Sequence, residues 1–233
     1  MLLYAFIFSI FTWLCTMFGS SFIFFIKKIN NELMDKMLGF AGGVMIASSF
    51  FSMLSLSVEL SSIYTIIGFA LGGLFLYTSD LYLDKKIKKS NSFKTILMLI
   101  FSITIHNIPE GMAIGVTFAS SDLFSAIILA IGIGIQNIPE GMAISFPLLK
   151  EGYSKKQAFN IGHASALVEI LFSVLGCILV LKIKFLLPFV LSFAAASMIY
   201  VVISELIPEC KTKKSNLYFI LGFILMMSLD ILL

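Results

Sequence analysis

Two stretches of this 233-residue chain hold the side chains best suited to bind a cation. Residues 106–114 read His-Asn-Ile-Pro-Glu-Gly-Met-Ala-Ile, and residues 136–144 read Gln-Asn-Ile-Pro-Glu-Gly-Met-Ala-Ile. Eight consecutive positions agree, 107–114 with 137–144. On a helix, residues i and i+4 share a face. His106 therefore points with Glu110, and Gln136 with Glu140, while Asn107 and Asn137 open on an adjacent flank. The two glutamates lie between the flanks and can bridge two neighbouring ions, one nearer His106 and Gln136, the other nearer Asn107 and Asn137. The donors are imidazole, carboxylate and amide oxygen. Without thiolate, Cu(I) and iron–sulfur clusters are disfavoured. His106 argues against the all-oxygen shells of Mg²⁺ and Ca²⁺. Zn²⁺, Fe²⁺, Mn²⁺, Co²⁺ and Cd²⁺ fit, and affinity order alone does not choose among them.

Each motif carries its own backbone chemistry. Pro109 and Pro139 remove one helical hydrogen bond apiece and crowd the carbonyls of Ile105 and Ile135. At membrane depth those carbonyls need a neighbour, water or a cation. Gly111 and Gly141 strip away side-chain bulk just after each glutamate and allow close helix approach.

The elements that must hold these residues are membrane helices. The chain is 59% hydrophobic and 12% charged, with a mean hydropathy of +1.04, which points to the bilayer as solvent. A span needs about 20 apolar residues. Eight candidates fall near 2–26, 34–57, 62–83, 95–118, 123–149, 156–181, 184–207 and 216–233, with one sizeable polar loop at 84–94. The expected fold is an all-α polytopic helix bundle of eight transmembrane helices, forming a single transmembrane domain over 1–233. The run from Leu2 lacks a positive n-region and is long enough to span rather than to be cleaved. Cys15, Cys177 and Cys210 have no paired spacing, so no disulfide framework is implied.

The lysines orient the bundle. The sequence has 16 Lys and no Arg, and 14 of the 16 fall in odd-numbered loops. The positive-inside rule puts those loops in the cytoplasm. Both termini then lie outside, and the helix count must be even. The net charge of +3 is spread through short loop clusters, so no nucleic-acid footprint is expected. Glu59, Asp122 and Asp230 fall near outward ends, either as a cation-attracting rim or as ordinary solvated acids.

Charge inside the spans carries the functional argument. Glu110, Glu140, Glu169 and Glu205 all fall within apolar runs. A mid-membrane ionised residue costs roughly 2.5–3.5 kcal/mol on insertion scales, so four unpaired carboxylates approach 10 kcal/mol. No Arg and no mid-span Lys is available to neutralise them. A bound cation, protonation or a water-filled path must compensate. The bland alternative is a set of protonated carboxyls that hydrogen-bond helices together. Glu169, deep in the sixth span, is a further ligand candidate. His163 lies nearer the cytoplasmic end, where a lone His is more often hydrogen-bonded than functional. Glu205 and Glu209 share a face and form either an exit relay or a solvated helix end. No His-Glu-x-x-His and no Gly-x-Ser-x-Gly pattern is present, so an intramembrane enzyme is not expected.

The paired His-Asn-x-Pro-Glu-Gly and Gln-Asn-x-Pro-Glu-Gly resemble the signature of the ZIP (Zrt/Irt-like) metal transporters, in their bacterial branch. Residues 39–51, 165–169 and 204–209 are similar to that family's second, sixth and seventh spans. The resemblance implies uptake of zinc, or of related Fe, Mn, Co or Cd ions, into the cytoplasm, by a carrier or by a metal-selective channel. It implies eight spans with both termini outside, in a multi-pass cell-membrane protein of bacterial type. The binuclear site implied maps onto His106, Asn107, Glu110, Gln136, Asn137, Glu140 and Glu169. No cofactor is implied beyond the transported ion. The partners implied are divalent metal ions, the lipid bilayer and a possible homodimer. Three positions depart from the pattern: the third loop lacks histidines, Asn137 stands where some bacterial relatives have Asp, and Ile170 stands where relatives commonly have Pro.

Overall fold

The computed structural model describes residues 1–25, 31–86, 92–120, 122–150, 152–183, 186–210 and 212–232, with side chains at most of these positions. Among the described residues the chain is helical, with no strand. The helices are α1 (Leu2–Ser21), α2 (Asn31–Ser48), α3 (Leu56–Leu60), α4 (Ser62–Lys86), α5 (Ser92–Ser120) and α6 (Leu123–Lys150). They continue with α7 (Lys155–Ala164), α8 (Leu167–Lys182), α9 (Leu186–Val201), α10 (Ile207–Glu209) and α11 (Lys213–Leu232). Such long helices follow from the solvent. In hydrocarbon each backbone N–H and C=O must find its partner within the chain, and a continuous helix provides it.

Seven stretches among the described residues are long and apolar enough to cross a membrane. They are Leu2–Phe24, Glu32–Leu60, Ser62–Tyr82, Leu123–Phe146, Lys155–Lys182, Leu186–Ser204 and Lys213–Ile231. The helix α5 holds a further 29 residues, about 43 Å at 1.5 Å per residue. The outer faces of α1, α4 and α11 carry exposed Phe6, Phe18, Ile66, Leu74, Leu217 and Ile224. Such a surface suits lipid rather than water. The interior combines a large apolar cluster with many buried polar groups. On α1, Ser9, Thr12, Thr16 and Ser20 are fully buried at helical spacing, while the apolar residues between them face out.

Small residues bring the helices together. A Cβ at Gly19 of α1 would fall on the Ile138 carbonyl of α6, and one at Gly43 of α2 on the Phe219 carbonyl of α11. Likewise Gly72 of α4 lies against the Phe193 carbonyl of α9, and Gly115 of α5 against the Ser173 carbonyl of α8. Backbone-to-backbone approach of this kind is a membrane-packing device that bulkier side chains would prevent. The four pairs enclose α6 and α9 most completely.

Three features depart from eight simple rods. The second span widens into a π-helical stretch at Ser49–Ser55, and the seventh does so at Val202–Leu206. The sixth breaks between Ala164 and Leu167, so α7 and α8 are separate helices. By contrast, α5 and α6 stay helical through Pro109 and Pro139. At the cytoplasmic ends predicted from the lysines, Lys36 and Lys214 both pair with Glu32, at 3.0 and 2.7 Å, tying α2 to α11.

Candidate metal centre

The two motifs lie midway along α5 and α6, which pack against each other. Close approach to the outer helices sets their depth. A Cβ at Gly111 would strike the Glu169 backbone of α8, and one at Gly141 would strike the Thr16 carbonyl of α1. Each glutamate of the pair is thus one residue from a helix crossing that has no slack. Ser20 and Ser145 both donate to the Gly141 carbonyl, at 3.1 and 2.6 Å, and pin the second crossing.

The predicted ligands converge. Asn107, Glu110, Gln136, Asn137 and Glu169 are fully buried, and Glu140 is nearly so. Gln136 Nε2 donates to Glu110 Oε1 at 2.6 Å. Asn137 Nδ2 lies 3.0 and 3.1 Å from the two oxygens of Glu169, and 3.4 Å from the Thr12 carbonyl. The Glu140 and Glu169 carboxylates are near enough to act electrostatically on Glu110. His106 lies on the helical backbone of α5, and its side chain is outside the described residues, as are those of Glu205 and Glu209.

The chemistry left open is that of an electron-rich cage. Among the described residues, Glu110 Oε2, Gln136 Oε1, Asn137 Oδ1 and Asn107 Oδ1 are buried acceptors with no protein donor, and Asn107 Nδ2 is a buried donor with no acceptor. A buried polar atom left so costs about 1–3 kcal/mol, and four acceptors without a donor suit a cation. Among the described residues, no three His, Cys, Asp or Glu side chains gather tightly enough to hold an ion by themselves. The carboxamides of Asn107, Gln136 and Asn137 lie buried beside the glutamates. In both hydrogen-bonded pairs the amide N–H₂ is turned to a carboxylate and the amide oxygen is left over.

Sequence reasoning missed Thr12. Its hydroxyl donates to Glu169 Oε2 at 2.7 Å, from a helix that contributes no charged group. The buried spacing of Ser9, Thr12, Thr16 and Ser20 was the signal, a polar stripe on an otherwise apolar span. The other candidates sort by their surroundings. The His163 ring packs against Phe159 and Trp13, with centroids at 4.8 and 5.8 Å. Of the outer acids, Asp122 caps α6 by accepting the Phe124 and Ser125 N–H groups, each at 3.0 Å. Glu59 is exposed, and Asp230 accepts a hydrogen bond from Ser52 at 2.6 Å. Asp122 thus acts as an ordinary helix cap.

Comparison with known proteins places the chain in a family. Residues 83–230 match the model of the family described as ZIP Zinc transporter. The chain is 32% identical to zinc transporter ZIP11 of Xenopus tropicalis, over 96% of this chain and 95% of that protein. It is 32% identical to zinc transporter ZupT of Streptococcus mutans, over 98% and 97% of the two chains. It is 29% identical to zinc transporter ZIPB of Bordetella bronchiseptica, over 92% and 76%. A multi-pass membrane protein that matches the family model through both motifs, and ZIP11 and ZupT nearly end to end, belongs to the ZIP family of metal transporters.

Proposed function

We propose that this protein takes up zinc, or a related divalent ion, into the cytoplasm through a two-ion site at the centre of the bundle. The ligands are His106, Asn107, Glu110, Gln136, Asn137, Glu140 and Glu169. The single observation that carries the reading is the full burial of Glu110 and Glu169, each held by a motif carboxamide, Gln136 at 2.6 Å and Asn137 at 3.0 Å, in a chain with no Arg and no mid-span Lys. A bound cation balances such a charge inside a membrane-spanning bundle. The two amide–carboxylate pairs, Gln136 with Glu110 and Asn137 with Glu169, support two adjacent ion positions. Each pair keeps one carboxylate properly oriented and leaves oxygen atoms free to ligate.

The membrane arrangement belongs to the same proposal. With α5 counted, eight spans place both termini outside and the lysine-rich loops in the cytoplasm, as the charge distribution requires. The cell membrane is then the site of action. A homodimer, implied by the resemblance alone, is tested by crosslinking in native membranes.

Zinc uptake into proteoliposomes tests the function, with Mn²⁺ and Cd²⁺ as competitors and a pH gradient imposed or removed. Saturable, competed uptake that depends on the protein supports a carrier. Flux that rises without saturation points to a channel, and no flux above empty vesicles would end the proposal.

A further inference from the structure

The break in the sixth span interrupts the helical hydrogen bonding at Ser165 and Ala166, both buried, between the exposed Ala164 and Leu167. Of the last four carbonyls of a helix, none has an intrahelical partner. In α7, the Ile161 carbonyl takes the Ser165 N–H, and the Gly162 carbonyl takes the Ser165 hydroxyl at 2.9 Å. The His163 carbonyl takes a group from another helix, the indole N–H of Trp13, at 3.1 Å. One residue earlier on α1, the Thr12 hydroxyl reaches across to Glu169, in the first turn of α8. The Thr12 carbonyl also faces the amide of Asn137, which itself holds Glu169. Two neighbouring residues of α1 therefore grip both sides of the break.

We infer that Thr12 and Trp13 form a clamp across the broken sixth span that aims Glu169 into the metal site, making them positioning residues for transport. The inference rests on the metal-site reading of Glu169 given above. A broken helix can swivel at the break, and Glu169 sits three residues beyond Ala166. Asn137 Nδ2 lies within reach of both carboxylate oxygens, and the Thr12 hydroxyl adds a donor to Oε2 from a second helix, narrowing the orientations left to that side chain. Thr12 suits the task chemically. Its single hydroxyl proton has two acceptors in reach, the Ser9 carbonyl at 3.0 Å and Glu169 Oε2 at 2.7 Å. The charged and closer acceptor wins, because charge-assisted hydrogen bonds are the stronger. Removing the carboxylate leaves the hydroxyl satisfied by Ser9, so the clamp is not needed to fold α1. Trp13 is suited too: indole offers a donor and no acceptor, which matches a stranded carbonyl.

Zinc uptake by the purified full-length chain in proteoliposomes tests the clamp. Thr12→Val keeps the shape and drops the hydroxyl. It is expected to raise the half-saturating zinc concentration by about tenfold, the scale of one charge-assisted hydrogen bond, with little change in maximal rate. Thr12→Ser should recover most of the affinity. Trp13→Phe, which keeps a ring and loses the N–H, should show the same kind of defect. Trp13 is also the only tryptophan in the chain, so its emission should respond to zinc in the native protein and fail to respond in Glu169→Gln. Native half-saturation in Thr12→Val or in Trp13→Phe would overturn the clamp. So would a Thr12→Ser as impaired as Thr12→Val, which would mark a packing role. Native uptake in Glu169→Gln would overturn the site reading as well, whereas an impaired Glu169→Gln beside an unaffected Thr12→Val overturns the clamp alone.

Discussion

Replacing Gly111 by Ala adds one methyl group at the crossing of α5 and α8. The new Cβ would stand 2.6 Å from the Cα of Glu169 and 2.9 Å from its carbonyl carbon, where ordinary contact begins near 3.4 Å. Both neighbours are backbone, so no side chain can swing aside. The helices must part by about 1 Å or bend, and overpacking of this kind costs about 1–3 kcal/mol. Ala improves on Gly in a helix interior by about 1 kcal/mol, so any net loss is due to the clash. The displacement acts where Glu110 and Glu169 must keep their spacing, and errors of that size in a reacting geometry can reduce rates by up to about 100-fold. Gly111→Ala should therefore cut zinc uptake by at least about tenfold, since each 1.4 kcal/mol is a factor of ten. The control is Gly73→Ala, where an added Cβ meets nothing within 4 Å; it should leave uptake unchanged. Uptake per inserted protein and thermal melting in detergent would both be followed. A Gly111→Ala protein with native uptake and native melting would refute the claim that this crossing sets the site.

Glu110→Ala or Glu140→Ala should abolish metal flux while the protein still inserts, as judged by membrane fractionation; native uptake in either would count decisively against the bridging role. His106→Ala should alter the ranking of Zn²⁺, Mn²⁺ and Cd²⁺ in competition uptake more than it alters total transport, because one nitrogen donor is lost among oxygens; an unchanged ranking would reject that role. At the start of α6, the Ser125 hydroxyl and N–H hold the Asp122 carboxyl below its ordinary range. Its contribution is therefore present above the unfolded value near pH ~4 and fades as the pH falls through the lower folded value. Asp122→Asn should keep the cap and flatten that acid limb of the melting curve; an unaltered limb would show that the cap does not contribute.

The parts of this molecule that were legible in the sequence are those written in residue type. Glu110 and Glu140 declared themselves as charges in apolar runs, and the repeated Asn-Ile-Pro-Glu-Gly located both on neighbouring helices. Glu169 stood out in the same way, as a charge deep in an apolar run. Backbone irregularities were less visible. Ser49–Ser55 contains neither Gly nor Pro, whereas Val202–Leu206 is followed by Pro208, whose ring crowds the Ser204 carbonyl four residues back. The break near Ser165 has Gly162 nearby but no proline, and it is sustained by Trp13, 150 positions away in the chain. Thr12 escaped notice because one hydroxyl in an apolar run usually bonds its own helix. Its partner is on α8, and only the folded arrangement brings the two together.

The twin motifs are the same words in different sentences. Asn137 holds Glu169 through its amide, whereas neither polar atom of Asn107 has a protein partner. Gly111 abuts the start of a broken span, and Gly141 abuts an unbroken one. The interior is therefore lopsided despite its textual symmetry. The two asparagines of the repeat therefore have different surroundings, and a substitution tolerated in one copy gives no licence for the same substitution in the other.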